Sequence, residues 1–394
     1  MKLYLRKLTL WKCLAALILA AGAYATYVRF ASGLGRATHL SDMFPWGLWI
    51  GFDVMCGVGL AAGGFTIAAL VHIWNIKRFE PILRPTILTA FLGYLLVIVG
   101  LLFDLGRPLA IWHAIIHWNT HSVMFEVAWC VMLYTTVLAL EFAPAVLEKF
   151  KFSRTLRILR RLSIPIVMLG VLLSTLHQSS LGSLFLIVPD RLYGLWYSPY
   201  LPVFFFVSAL AAGCAMVIFE SSLSSRAFRR GLEVKIMDEI GRITVVILSV
   251  YLVMRIMDGY YRNIFGLLFL PRMETYLFWL EIMVGVILPI LLLAQRRIRT
   301  SGNGLFAGAV MVILGFVMHR LNVSITGMEW SVGGTYFPSW MEVSVTAAIV
   351  TFGFLAFSLA AKYLPVYEEV ARATEREPLP EPWIDELTLV SERS

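Results

Sequence analysis

The sequence predicts an all-α protein that crosses a membrane about ten times. Three observations lead there. Hydrophobic residues make up 59% of the 394 and charged residues only 15%, against roughly 25% charged in soluble domains. Mean hydropathy is +0.79. Apolar runs of roughly 18 or more residues recur, each long enough to span a hydrocarbon layer of about 30 Å. The runs are continuous, where the strands of a membrane barrel would alternate.

The expected spans are about 11–30, 46–74, 86–103, 122–143, 163–188, 200–220, 243–258, 275–294, 304–322 and 342–364. The fifth carries a polar stretch within Ser174–Phe185 (STLHQSSLGSLF), where an interruption is expected and where the serines and glycine would loosen the helix. Phe125–Tyr134 (FEVAWCVMLY) in span four and Leu280–Pro289 (LEIMVGVILP) in span eight share a glutamate at a similar place, and spans five and nine each reach a histidine, His177 and His319. This weak repeat predicts two parallel four-helix bundles, spans two to five and six to nine, flanked by spans one and ten. Residues 1–364 then form one membrane domain and 365–394 an acidic cytoplasmic tail. From Glu368 the tail carries three prolines and reads as a solvated end.

The formal charge of +8 does not point to nucleic acid, because the basic residues sit in short loops between spans. Alternate loops hold them: Lys77, Arg78 and Arg84, then Lys149 to Arg161, Arg226 to Arg242, and Arg296 to Arg299. Positive residues stay inside, which places both termini in the cytoplasm and the intervening loops outside. Ala21–Thr26 (AGAYAT) also offers a signal-peptide cleavage site, beside the reading of span one as a retained helix. Cys13, Cys56, Cys130 and Cys214 fall within apolar runs without a CxxC pair, so no iron–sulfur cluster or metal site is expected in this chain.

An ionisable group inside a membrane is by default a functional candidate. Asp53, Glu126 and His177 lie on three spans at a similar outer depth, and Trp46 stands at the outer end of span two. Tyr94, Arg84 and Glu220 are candidate steps of a proton path from the cytoplasmic side. Gly59 and Gly63 suit close helix packing or a flat ligand. His113, His117 and His121 would share a helix face able to bind metal, or form a solvated face. His177 and His319 are the one pair that could hold a haem.

Phe44–Asp53 (FPWGLWIGFD), Asp104–Pro108 (DLGRP), Phe125–Glu126, His177–Leu184 (HQSSLGSL), Ile218–Glu220 and Tyr336–Val343 (YFPSWMEV) occur in an order that resembles the membrane subunit of periplasm-facing nickel–iron hydrogenases. That is the HybB-type branch of the NrfD, or polysulfide reductase membrane subunit, family. The resemblance runs from about Gly33 to Pro365. It implies a quinone-reactive anchor in the bacterial inner membrane, without haem, that exchanges electrons between a periplasmic ferredoxin-like iron–sulfur subunit and menaquinone or ubiquinone. The implied catalytic partners are nickel–iron hydrogenase large and small subunits, and proton translocation accompanies turnover. His177, Asp53, Glu126 and Trp46 match the quinone site; Glu126, Tyr94, Glu220 and Arg84 match proton-transfer positions. Other complexes of the family (polysulfide, nitrite or alternative complex III type), a secondary transporter, a b-type cytochrome and a purely structural anchor are the competing readings.

Overall fold

The computed structural model describes residues 10–228 and 231–367. Ten helices are long and apolar enough to cross a membrane: α1 Leu10–Ser32, α2 Trp49–Ile73, α3 Lys77–Asp104, α4 Val123–Lys149, α5 Ser163–Ile187, α6 Leu201–Ala227, α7 Val234–Tyr261, α8 Met273–Ala294, α9 Gly302–Val332 and α10 Trp340–Tyr363. All ten coincide with the expected spans, several extended by a turn or more at the basic end. The extension is physical: a helix continues past the hydrocarbon wherever its last turns can carry polar side chains, as α4 does with Glu148 and Lys149.

Helices α2 to α5 close into one four-helix ring and α6 to α9 into a second. The rings meet along α6, which packs on α2 and α5, while α1 and α10 pair with each other and lean on α3. The expected two bundles with two flanking helices are therefore present. One end of the molecule is rich in aromatic residues and the other in arginine; they are called here the aromatic and the basic end.

The α2–α6 contact is very close. A methyl group at Gly213 would lie 2.5 Å from the backbone nitrogen of Gly63, and one at Gly63 would lie 2.9 Å from the Gly213 carbonyl oxygen. Gly59 admits the ring of Phe316 from α9. The glycine run of α2 is thus a packing surface. Where apolar tails surround the protein, close van der Waals approach of backbones takes over the role that water exclusion plays elsewhere.

Two expectations change. Helix α5 is not interrupted at its polar stretch: the α-helix runs unbroken from Ser163 to Ser183 and ends in a 3-10 turn, Leu184–Ile187. Ser180 and Ser183 turn their hydroxyls onto the preceding turn, to the Leu176 carbonyl at 2.8 Å and to that of Ser179 at 3.2 Å, so these two need no water or helix break. Gly182 fits against the start of α6, where a methyl would lie 2.7 Å from the Leu201 carbonyl. The three histidines also fail to share a helix face. The short helix covers only His113–Ile116, His121 follows in a turn, and no group of three metal-ligating side chains occurs among the described residues.

The ordered chain continues past α10. Val366 is 1% exposed, Arg84 donates to the Pro365 carbonyl at 3.0 Å, and the Tyr367 hydroxyl donates to Glu220 at 3.0 Å. The rest of the acidic tail lies outside the described residues.

Gly213→Leu should break the seam between the bundles. A side chain there forces the backbones apart, at a cost of about 1–3 kcal/mol or more. The expected outcome is a clear fall in the thermal midpoint of the purified protein in detergent. An unchanged midpoint would show that the helices do not approach this closely.

Candidate functional site

Bundle one encloses a polar centre. His177 of α5 is fully buried, and its Nδ1 lies 2.9 Å from the Tyr94 hydroxyl of α3. The Tyr94 ring meets the Tyr134 ring of α4 edge-on, with centroids 4.7 Å apart. Gln178 donates to the Val58 carbonyl of α2 at 3.0 Å. Four atoms of this centre have no hydrogen-bond partner among the described residues: the Tyr134 and Ser174 hydroxyls, His177 Nε2 and Gln178 Oε1. An orphaned buried polar atom costs about 1–3 kcal/mol, so such a concentration marks a place built for something other than stability.

Glu126 stands one turn inside α4 at the aromatic end. It accepts from Ser180, three residues beyond His177 on the same face of α5, at 2.6 Å. Its side chain is exposed rather than enclosed. Trp46 packs edge-on against Phe185 at 5.9 Å.

Asp53 does not join these groups. It lies in a π-helical segment, Trp49–Val54, and each π turn holds one residue more than an α turn, which redirects the side chains around it. The carboxylate accepts from Thr346 of α10 at 2.7 Å and packs against Gly100 of α3. It lines a cavity of about 340 Å³ between α2, α3, α6 and α10. The walls are mainly apolar, with Asp53 toward the aromatic end and Glu220 toward the basic end. Its lining residues on this side extend from Met216 of α6 to Phe228 just past the end of that helix, roughly 18 Å at 1.5 Å per residue. At its foot Glu220 accepts from Ser224 at 2.8 Å and from Tyr367.

Arg84 is at the basic end of bundle one. Two of its nitrogens hold Glu148, each at 3.0 Å, and Arg160 adds a third bond to the same carboxylate at 2.9 Å. Around this clamp a second cavity, of about 380 Å³, is lined by His72, Glu80, Arg84, Glu141, Glu148 and Arg160 among others. The structure therefore joins Tyr94 to His177 and sets Glu126 one turn away. It places Asp53 with Glu220 in a separate groove and Arg84 at the mouth of the other cavity.

Bundle two has a polar centre of its own. Glu281 of α8 accepts from Trp196 at 2.9 Å and from Asn322 at 2.8 Å, and faces His319 Nδ1 at 2.8 Å. Arg320 is fully buried. It donates to the Phe205 carbonyl at 2.9 Å and to Ser208 at 3.0 Å, and its guanidinium lies over the Phe205 ring at 3.6 Å. The weak repeat in the sequence pointed to Glu281 and His319. Nothing in it pointed to Arg320, Asn322 or Trp196, which reach the centre only through the crossing of α6, α8 and α9. Tyr134 and Glu141 were equally hidden among apolar neighbours on α4.

His177 and His319 belong to different bundles, each with Nδ1 engaged by a neighbour from its own bundle, and neither lines the two cavities. The pair does not fit the facing axial ligands of one haem.

The quoted motifs at the aromatic end have structural work. The Tyr336 hydroxyl donates to Glu342 and accepts from the Leu48 backbone at 3.0 Å. Burial first, and then the bond to Glu342, raises the pKa of this phenol and keeps it protonated for that role. Ser339 and Glu342 form a capping box at the start of α10. Arg29 of α1 donates to the carbonyls of Phe103 and Leu105, at 2.7 and 2.6 Å, on either side of Asp104. These contacts fasten α1 and α10 to bundle one.

Ten apolar helices in two bundles, each with a histidine in its core, define a multi-pass membrane protein, and the match to a family model completes the assignment. The chain belongs to the family described as "Polysulphide reductase, NrfD", whose model matches residues 37–330. Among similar proteins, the "Probable Ni/Fe-hydrogenase 2 b-type cytochrome subunit" of Escherichia coli is 33% identical over 86% of this chain and 87% of its own length. The "Menaquinone reductase, integral membrane subunit" of Nitratidesulfovibrio vulgaris is 27% identical over 94% of this chain and 95% of its own. A protein of the same organism without a descriptive name is 39% identical over 90% and 94%. The family resemblance seen in the quoted motifs is thereby established.

The two glutamates of the repeat should respond differently to removal. Glu281→Ala leaves Arg320 and His319 buried without their carboxylate, a loss of about 3–5 kcal/mol. Glu126→Gln removes a partner from a serine that keeps its bond to Leu176, at most about 1 kcal/mol. Thermal unfolding in detergent measures both, and equal effects would contradict the description of bundle two as a charge-locked core.

Proposed function

We propose that this chain is the quinone-reactive membrane subunit of a respiratory oxidoreductase. It lies in the bacterial inner membrane with its basic end toward the cytoplasm. It exchanges electrons between an iron–sulfur subunit on the periplasmic side and menaquinone or ubiquinone. Similarity to the Escherichia coli hydrogenase 2 subunit favours nickel–iron hydrogenase large and small subunits as the catalytic partners. Similarity to the menaquinone reductase subunit favours a quinone as the membrane substrate.

The observation that carries the reading is the groove between α2, α3, α6 and α10. It is long and mainly apolar, with a carboxylate, Asp53, toward the aromatic end. A long-chain quinone has the same polarity, an apolar isoprenoid tail and one polar head. Few convergent polar groups in an apolar pocket are what orients such a ligand.

Asp53 then meets the quinone head in the groove, with Trp46 and Glu126 at the aromatic end; His177 is buried on the other side of the α2–α3 seam and outside the groove's lining, so the head must pass that seam to reach it. A histidine held through Nδ1 by a phenol has Nε2 left to exchange a proton with a quinone oxygen. Tyr94 fixes the ring and is the group through which that proton is replaced. Reduction of the quinone takes two electrons from the partner and two protons; protons drawn from the cytoplasmic side would make the reaction electrogenic. Glu220, at the foot of the groove, and Arg84, at the mouth of the second cavity, are the proton-side groups at that end. Exposed apolar side chains at the aromatic end, Leu109 at 91%, Phe269 at 82% and Phe337 at 80%, suit the docking of the iron–sulfur subunit.

The test is hydrogen-dependent reduction of a soluble quinone by intact membranes. His177→Ala and Glu126→Gln should each slow it by an order of magnitude or more, within the 10²–10⁴-fold that a positioned acid–base group typically contributes. Asp53→Asn should chiefly raise the KM for quinone. Normal rates in both His177→Ala and Glu126→Gln, with the complex still assembled, would show that the site lies elsewhere. Glu220→Gln should lower the charge moved per electron in sealed vesicles; an unchanged ratio removes Glu220 from the proton path.

A further inference from the structure

Bundle one contains a string of polar groups that ends at His177 and includes Glu141, Tyr134 and Ser174, which the proposed site does not use. It begins at the basic end, in the cavity of about 380 Å³ ringed by His72, Glu80, Arg84, Glu148 and Arg160. The innermost carboxylate of that cavity is Glu141, a residue within the apolar part of α4. Its Oε2 is buried and has no hydrogen-bond partner among the described residues. Toward the middle of the bundle, Glu141 and Tyr134 both crowd Gly170 of α5. A methyl there would lie 3.2 Å from Glu141 Oε1 and 3.6 Å from the Tyr134 ring.

Beyond Tyr134 the string continues without a gap in residue type. Its hydroxyl and that of Ser174, which stands one turn from both Gly170 and His177 on α5, are buried and have no hydrogen-bond partner among the described residues. Tyr94 follows, edge-on to Tyr134, and its hydroxyl reaches His177. The series of unpartnered atoms Glu141 Oε2, Tyr134 hydroxyl, Ser174 hydroxyl and His177 Nε2 thus runs from the inner cavity to the proposed site. Polar atoms that no protein group satisfies are the usual partners of internal water.

Glu220 is placed differently. It faces α10 and the groove, and Ser224 and Tyr367 both donate to its Oε1.

We propose that protons for His177 enter through Glu141 and pass by water, Tyr134, Ser174 and Tyr94 within bundle one. The proposal rests on the quinone-reactive function above. In each step one proton enters at Glu141 from the inner cavity, and the intervening hydroxyls and waters each take up one proton and give up one. Tyr94 delivers a proton to Nδ1 of His177 as Nε2 releases one to the quinone oxygen. The electrons come from the iron–sulfur partner. Gly170 keeps the passage between Glu141 and Tyr134 open by having no side chain.

The experiment uses the whole complex in sealed vesicles, with hydrogen as donor and 2,3-dimethyl-1,4-naphthoquinone as the acceptor. Rate and charge moved per electron are read for the native complex and for Glu141→Gln, Glu141→Asp, Tyr134→Phe and Gly170→Leu. The expected result is a tenfold or greater loss of rate in Glu141→Gln and Gly170→Leu, and recovery to at least a third of the native rate in Glu141→Asp. The native rate should also follow the pH on the side of the basic end, and Glu141→Gln should flatten that dependence; loss of fold alone would not. Co-purifying subunits and the thermal midpoint confirm assembly of each variant. Near-native rate and charge in an assembled Glu141→Gln complex would overturn the proposal, as would a pH response unchanged by the substitution. Absence of any quinone reduction by the native complex would overturn the functional reading instead.

Discussion

Inside a hydrocarbon layer every polar group must be satisfied by the chain itself or by a cavity the chain encloses, and each feature of this molecule follows from that constraint. Bundle two meets it largely through its own side chains, although His319 Nε2 and Arg320 Nε and Nη1 find no partner among the described residues. Glu281 receives Trp196 and Asn322 and faces His319, while Arg320 uses a carbonyl, a hydroxyl and an aromatic face. The result is a centre in which a change of charge has few ways to be absorbed. Bundle one is incomplete in the same way. Its histidine rests on a phenol, and several of its polar atoms lack partners. Both centres thus keep unpartnered polar atoms, but bundle two sets a carboxylate against its histidine where bundle one sets a phenol.

The same constraint explains why the motifs at the aromatic end are so polar. The Phe44–Asp53 and Tyr336–Val343 segments grip each other through Tyr336, Glu342 and Leu48. Arg29 closes over the backbone around Asp104. Much of what makes the sequence resemble its family therefore maintains the attachment of α1 and α10 to bundle one, and α10 is the wall that turns the space beside α2 and α3 into a groove.

Much of this was legible in the sequence, because helix count, bundle pairing and the position of His177 all follow from local apolar runs and from a short repeat. What was not legible depends on rotation and crossing. Asp53 and His177 occur at comparable depth along their helices, which suggested one cluster, yet they face opposite sides of a seam. The polar run of α5 suggested a loosened helix, yet Ser180 and Ser183 bond to the helix's own carbonyls and the helix runs unbroken to Ser183. Tyr134 and Glu141 stood out in no linear pattern; they acquire meaning only when α5 is laid beside α4. Arg84, expected on a proton path, is first of all a clamp on Glu148 and Pro365.

The π-helical opening of α2 fixes an angular phase. One residue inserted into or deleted from a regular α-helix rotates everything on one side of the change by about 100°. In Trp49–Val54 the extra residue has already been absorbed by the wide turn, so the residues before it and after it keep separate facings. Trp49 addresses α10 while Met55 and Cys56 address the bundle core, and Asp53 is the residue that falls between the two frames. A single-residue deletion in this segment would restore an ordinary helix and would still leave every amino acid type in place, yet it would unlock the two faces and swing the carboxylate away from its groove. Length within these few residues is therefore as much a part of the site as the side chains it carries.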